Sequence, residues 1–228
     1  MPGLMNTKIC TVNSALAIIK AGGVVVFPTE TAYGLAADAT NPKAVQRIFL
    51  VKGRTASKSL PLIAADLKMV EKYAVLSPVI KKLVKKKWPG PFTVVVPVRT
   101  DVGANGLPAK ARATAGHSPL RSDIIRTGTI AIRVSGHPIA RELSRKLGRP
   151  IVSTSANLSG QPTCYSVRAV KKQLGDRPDG YIDVGSLPHR KPSTIVMEKN
   201  GEIIVLRGVT KQRKTTKLRK RLVDIRRP

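Results

Sequence analysis

Two periods of apolar residues alternate along this chain. From Asn13 to Ala21 they recur at helical spacing until the Gly22-Gly23 pair, which predicts a helix and its stop; "VVVFPT" from Val24 is then an unbroken apolar run of buried-strand length. Asn41-Pro42 opens a second helix through about Val51, with Val45, Ile48 and Phe49 at i, i+3 and i+4. "SLPLIAA" predicts a short strand, and "LKMVEKYA" and "SPVIKKLVKKKW" predict helices, the second ended by Trp88-Pro89-Gly90-Pro91. "FTVVVPV" is a strand. From Arg99 to Thr127 periodicity vanishes among Gly, Ala and Pro, and a loop of this length inside a domain is functional or disordered. "TIAIRVS" is a strand, "HPIARELSRKLG" a helix stopped by Gly148, "IVSTSAN" a strand running into a loop, and "SVRAVKKQLG" a helix. "STIVMEKNGEIIVLRGV" is a hairpin turning at Asn200-Gly201.

The mixture predicts an α/β fold around a twisted, open, mixed sheet, because the closing hairpin is antiparallel while several helical crossovers are long enough for parallel pairing. No internal repeat is evident. A chain of 228 residues accommodates one large domain, expected over residues 1–210, and a basic tail over 211–228. Hydrophobic content of 42% with 24% charged residues is ordinary for a globular protein, and no apolar run approaches the roughly 20 residues that cross a bilayer. The N-terminal "MPGLMNTKIC" is too short and polar for a secretory signal. Cys10 and Cys164 show neither CxxC nor Cys/His ligand spacing, so the expected setting is the reducing cytoplasm, without a disulfide framework or zinc site.

Charge changes the picture. Lys and Arg total 41 against 13 Asp and Glu, a net +28 that favours a polyanionic partner. The tail from Lys211 to Pro228 holds nine basic residues and one acid, and Lys81, Lys82, Lys85, Lys86 and Lys87 cluster at helical spacing elsewhere. Such blocks seek phosphates. Leu218, Leu222 and Ile225, at i, i+4 and i+7, leave open a short amphipathic helix in the tail.

Candidate chemistry sits at strand ends, where open α/β sheets place ligand contacts. Thr29, Glu30 and Thr31 follow "VVVFP", Arg133 lies on "AIRV", and Ser153, Ser155 and Asn157 follow "PIV". Ser193 and Thr194 open "STIV", and Arg207 closes "IVLR". Taken singly each is an ordinary cap or turn residue. Lys52, Arg54 and Lys58 put three cations just past a helix, either as dipole partners or as a triphosphate clamp. There is neither a GxxxxGK[ST] phosphate loop nor a GxGxxG.

"FPTETAYGLAADA", "KGRTASKSLPLIAA", "WPGPFTVVVP", "TIAIRVSGHPIA", "PIVSTSANLSGQPT" and "PSTIV…VLRGV", in this order across about residues 13 to 210, resemble the YrdC-like family of threonylcarbamoyl-AMP synthases in its single-domain form. The resemblance implies a fold of the YrdC-like type with a large basic concave cavity. It implies a nucleotidyltransferase making threonylcarbamoyl-AMP and pyrophosphate from L-threonine, bicarbonate and ATP. The product feeds threonylcarbamoyladenosine modification of tRNA through downstream threonylcarbamoyl transferase proteins. By the same resemblance Thr31, Arg133, Ser153 and Ser193 look like the threonine pocket, with Arg133 holding the carboxylate. Arg54, Lys58, Thr129, Ser155, Asn157, Thr163 and Arg207 look like the ATP contacts. Lys52 and Arg54 look like the catalytic cations, and magnesium is carried by ATP rather than by protein side chains. Some relatives place a His where this chain has Ile63, so a threonine contact through that side chain does not operate here.

No Ser-His-Asp set and no nucleophile is evident, and the implied reaction requires no covalent intermediate. What it requires is proximity of two anions and neutralisation of their charge. Two other readings stand beside it. A non-catalytic RNA-binding module fits the net charge, although only 4% of residues are aromatic and few stacking platforms result. Carbamoyl-adenylate chemistry on another substrate fits the same motifs.

Overall fold

The computed structural model describes residues 8–53, 60–99, 120, 124–125 and 128–208. Within these lie six helices, and their limits follow from local chemistry. In α1 (Val12–Lys20) the Thr11 hydroxyl accepts from the Ser14 amide. In α2 (Pro42–Lys52) the Asn41 side chain accepts from the Lys43 and Ala44 amides, Pro42 has no amide to leave unpaired, and Gly53 closes the helix at φ 58°. The helices α3 (Leu67–Tyr73), α4 (Pro78–Lys87) and α6 (Val167–Leu174) are capped by Asp66, Ser77 and Ser166. In α5 (Pro138–Leu147) the cap is the His137 Nδ1, which accepts from the Ile139 amide.

Among the described residues ten strands form two mixed sheets rather than the single sheet expected. The smaller has the order β7 (Thr154–Ser155), β2 (Tyr33–Ala36), β1 (Val25–Pro28), β8 (Gly180–Tyr181). The larger runs β10 (Glu202–Arg207), β9 (Thr194–Lys199), β4 (Phe92–Pro97), β5 (Thr129–Val134), β3 (Leu62–Ala64), β6 (Ile151–Val152). Parallel pairing joins β1 to β8, β3 to β5 and β4 to β9; the other pairs are antiparallel. The hairpin turns where expected, with Asn200 and Gly201 both at positive φ, 53° and 78°, as a type I′ turn requires.

The faces of the larger sheet divide by alternation. Val94, Val96, Ile130, Ile132 and Val196 point into the main core, shared with Ile48 of α2, Val70 of α3, and Ile80 and Val84 of α4. Each such fully buried aliphatic side chain contributes roughly 1.5–3 kcal/mol. A second core joins Ala15 and Ile19 of α1, Val25 and Phe27 of β1, and Leu143 of α5; the departure noted at Ile63 is buried here. Thr93, Ala131, Arg133 and Ile195 lie on the other face, open to a cavity. The segment from Arg99 to Thr127 lies mostly outside the described residues, but its Leu120 and Ile124 are buried in the main core. The tail and residues 54–59 lie outside the described residues, and with them Arg54 and Lys58. No described helix is long and apolar enough to cross a membrane.

Candidate functional site

A cavity of about 410 Å³, within the size range of small-molecule sites, has walls from both sheets. The smaller sheet contributes Thr29, Thr31 and Ala32 from the β1–β2 turn, Tyr33 and Gly34 of β2, and Thr154 and Ser155 of β7. The larger contributes Thr93, Ala131, Arg133, Ile195 and Arg207. Pro61, Ser153, Thr163, Tyr165, Arg190, Pro192 and Ser193, on connecting segments, complete the lining.

The hydroxyl wall is ordered by its own turn. Thr29 Oγ1 donates to the Ala32 carbonyl at 2.7 Å and accepts from the Thr31 and Ala32 amides, both at 3.2 Å. Its contact with Thr31 Oγ1 at 3.0 Å holds that hydroxyl at the cavity edge. Tyr33 Oη donates to the Gly185 carbonyl at 2.7 Å and accepts from the Val184 amide at 3.1 Å, tying the segment after β8 to β2. Burial above all raises the pKa of this phenol, which stays protonated as the bond to Gly185 requires.

The cationic wall is built differently. Arg133 is 7% exposed, and its guanidinium Nη1 stands 3.2 Å from Glu30 Oε1. That separation is an ion pair, but not in hydrogen-bond geometry, since Oε1 accepts no hydrogen bond. The other oxygen, Oε2, accepts a short bond from the Ser135 hydroxyl. Burial lowers the Arg133 pKa, Glu30 opposes the shift, and nearby Arg207 adds to it. Arg207 has no carboxylate partner among the described residues: its Nε and Nη2 donate to the Ser193 carbonyl at 3.1 Å and hydroxyl at 3.0 Å. Thr93 Oγ1, 3.1 Å away, steadies the same hydroxyl.

Arg207 reaches the cavity through a break in register. Val205 opposes Val196, whose side chain is in the core, and strict alternation would send Arg207 the same way. The ladder shifts between Val205 and Arg207, so that Arg207 opposes the cavity-lining Ile195 and Leu206 is the extra residue.

Of the residues expected from sequence, Thr31, Arg133, Ser153, Ser193, Ser155, Thr163 and Arg207 thus share one cavity. Thr129, Asn157 and Lys52 do not line it. Lys52 is 3% exposed, and its ammonium donates to the Ser155 and Asn157 carbonyls at 2.5 and 2.9 Å. These bonds join the end of α2 to the backbone that carries Ser155 and Asn157. Asn157 in turn donates through Nδ2 to the Leu158 and Gln161 carbonyls at 2.9 and 2.6 Å, shaping the loop after β7. Sequence reasoning passed over Arg190 and Tyr165. Tyr165 stacks on His189 with ring centroids 3.9 Å apart, and the basic "HRKPS" that ends at Ser193 was the available signal.

The chain is similar to known proteins. The Sua5_yciO_yrdC family model, described as Telomere recombination, matches residues 17–208. A threonylcarbamoyl-AMP synthase of Photobacterium profundum is 34% identical over 193 residues, 83% of this chain and 95% of that protein. The crystal structure of P. abyssi Sua5 complexed with L-threonine is similar with a TM-score of 0.74 and 32% identity, over 86% of this chain and 53% of that one, so this chain spans about half of that protein. The crystal structure of E. coli YciO is similar with a TM-score of 0.69 and 27% identity, over 86% of this chain and 87% of that one.

Proposed function

The chain belongs to the Sua5/YciO/YrdC family, and from that premise we infer that its cavity makes threonylcarbamoyl-AMP from L-threonine, bicarbonate and ATP. The observation that carries the reading is the convergence of a buried guanidinium, Arg133, and the Thr31, Ser153 and Ser193 positions on one cavity that also holds Ser155, Thr163 and Arg207. This set suits a small hydroxy amino acid beside a nucleotide.

In this reading the threonine carboxylate pairs with Arg133, in surroundings where exclusion of water strengthens a charge-assisted bond. Thr31 and Ser193 offer hydroxyls to the remaining polar groups. The threonine amine, once deprotonated, adds to carbon dioxide released from bicarbonate. An oxygen of the resulting carbamate attacks the α-phosphorus of ATP, and pyrophosphate leaves. Balance gives threonylcarbamoyl-AMP, pyrophosphate and water, which makes the protein a nucleotidyltransferase. Among the described residues no cluster of three or more His, Cys, Asp or Glu stands ready for a metal. In this reading magnesium enters as part of the ATP substrate, where it offsets triphosphate charge. The chain's own role is proximity and charge, with Arg207 on the nucleotide side and Arg54 and Lys58 proposed for the triphosphate.

The product would be passed to threonylcarbamoyl transferase proteins acting on tRNA. RNA contact is proposed through the lysines of α4 and the tail from Lys211. Two buried free thiols, Cys10 and Cys164, suit the cytoplasm. The test is pyrophosphate release from magnesium-ATP with threonine and bicarbonate supplied together and singly. Release that requires both is expected; release that ignores threonine would mean another acceptor, and tight RNA binding without release would mean a binding module.

A further inference from the structure

We propose that Glu30 is a positioning residue for substrate binding: it neutralises the Arg133 guanidinium from behind and so keeps that group's N–H donors for a ligand carboxylate. The inference rests on the threonine reading above and deepens it.

Four observations combine. First, Arg133 lines the cavity and Glu30 does not, although their side chains are equally buried, each 9% exposed. The carboxylate is therefore on the protein side of the pair. Second, a stabilising Arg–carboxylate pair is commonly a two-point fork that consumes both partners' hydrogen-bonding capacity. Here the contact is a single 3.2 Å approach of Nη1 to Oε1 outside hydrogen-bond geometry. Among the described residues no acceptor takes a hydrogen bond from this guanidinium, so its charge is offset while its donors are left over.

Third, Glu30 is itself held. The Ser135 Oγ accepts from the His137 amide at 3.2 Å, which directs its own proton to Glu30 Oε2. Arg141 Nη1 donates to the Ser135 carbonyl at 2.6 Å, and a Cβ on Gly136 would lie 3.6 Å from the Glu30 Cβ and Cγ. The charged groups that face Glu30 are thus Arg133 at the cavity, with the Ser135–His137–Arg141 turn against its other edge. Fourth, Arg207, which has no carboxylate partner among the described residues, puts a second positive charge near Arg133. Without Glu30 the two guanidiniums would repel one another across the cavity, and Arg133 would swing toward water. An isolated buried charge is costly to keep, and a buried partner of opposite sign offsets part of that cost.

The experiment measures L-threonine and ATP affinity separately, by calorimetry and by KM, in Glu30→Gln, Ser135→Ala, Arg133→Lys and the double variant Glu30→Gln/Arg133→Lys. Glu30→Gln keeps the shape and an acceptor for Ser135 but removes the charge. It is expected to weaken threonine binding about tenfold with ATP affinity unchanged. Ser135→Ala leaves the charge but frees the carboxylate, and is expected to act in the same direction about threefold. In the double variant the Glu30 change is expected to add less to Arg133→Lys than it does to the parent, because it acts through that residue and a lysine has no guanidinium fork to keep free. Unchanged or tighter threonine binding in Glu30→Gln overturns the proposal, the latter by making Glu30 a competitor of the substrate. Equal loss of threonine and ATP affinity, or full additivity in the double variant, overturns it by reducing Glu30 to a general scaffold role. Should Glu30→Gln fail to fold, Ser135→Ala decides alone, and unchanged threonine affinity there is fatal. If the parent protein itself binds no threonine, the reading of the site falls and this inference with it; if the parent binds and Glu30→Gln matches it, only the inference falls.

Discussion

The two walls of the cavity are built on opposite plans. On the smaller sheet, small hydroxyls are held by backbone groups a few residues away, as in the Thr29–Ala32 turn. On the larger sheet, two long guanidiniums are aimed by groups further off in sequence: Glu30 behind Arg133, and Ser193 behind Arg207. A hydroxyl needs only a local turn to point correctly, because it carries no net charge to neutralise. A guanidinium needs a distant partner or neutral acceptors, because leaving it unpaired in a buried site costs several kcal/mol. The contrast suggests that the hydroxyl wall shapes the ligand while the cationic wall supplies most of the binding energy.

Four experiments would break or sharpen that contrast. The largest effect is expected from Arg133→Ala, which should lower threonine-dependent pyrophosphate release by about a hundredfold or more, in steady-state assays, while ATP affinity by calorimetry stays near parental. Next comes Lys52→Met, which fills the same space without the ammonium and leaves the Ser155 and Asn157 carbonyls short of a donor. A loss of about 2–4 kcal/mol in chemical denaturation is expected, larger than any loss from a single hydroxyl. Thr31→Ala, on the neutral wall, should raise the threonine KM only about threefold to tenfold, one hydrogen bond's worth. An effect as large as that of Arg133→Ala would erase the distinction between the walls.

The smallest effect concerns His137, which caps α5 beside Glu30. Burial, ahead of the opposing influence of Glu30, lowers its pKa below the ordinary 6.5. The folded protein then binds fewer protons than the unfolded chain just below that value. The stability linked to this residue is present above pH 6.5 and is lost as pH falls through it toward the lower folded pKa. His137→Asn keeps an N-capping side chain and should flatten the fall in melting temperature between about pH 7 and pH 5 relative to the parent. An unchanged slope would show that His137 takes no part in it.

What the sequence disclosed follows the same division between local and distant causes. The six helices and the hairpin were legible because caps, glycine stops and the Asn-Gly turn act within a few residues. The ordered motifs located seven of the cavity residues, most of them at strand ends. The partition into two sheets was not legible. Tyr33–Ala36 is buried at every position and contains Gly and Ala, so β2 shows no alternation, and β7 and β8 are two residues each. Such strands exist only through their partners. Lys52 shows the same limit: at the end of a helix and beside Arg54 it reads as a phosphate-side cation, and its bonds to the Ser155 and Asn157 carbonyls depend on the return of a distant stretch of chain. Glu30 stood in view next to Thr31, but its partner lies about a hundred residues on, in another sheet.

The extra residue in β10 bears on how this strand tolerates insertions and deletions. Strands ordinarily reject both, since one residue gained or lost reverses every side chain beyond it. Here the chain already carries a surplus of one at Leu206, which is 52% exposed and opposes no residue of β9 in the ladder. Loss of Leu206 would leave Arg207 opposite Ile195 in an unbroken ladder, still facing the cavity. Among homologous chains, a strand shorter by one residue at this point should therefore keep its arginine at the site, and one longer by a single residue should not.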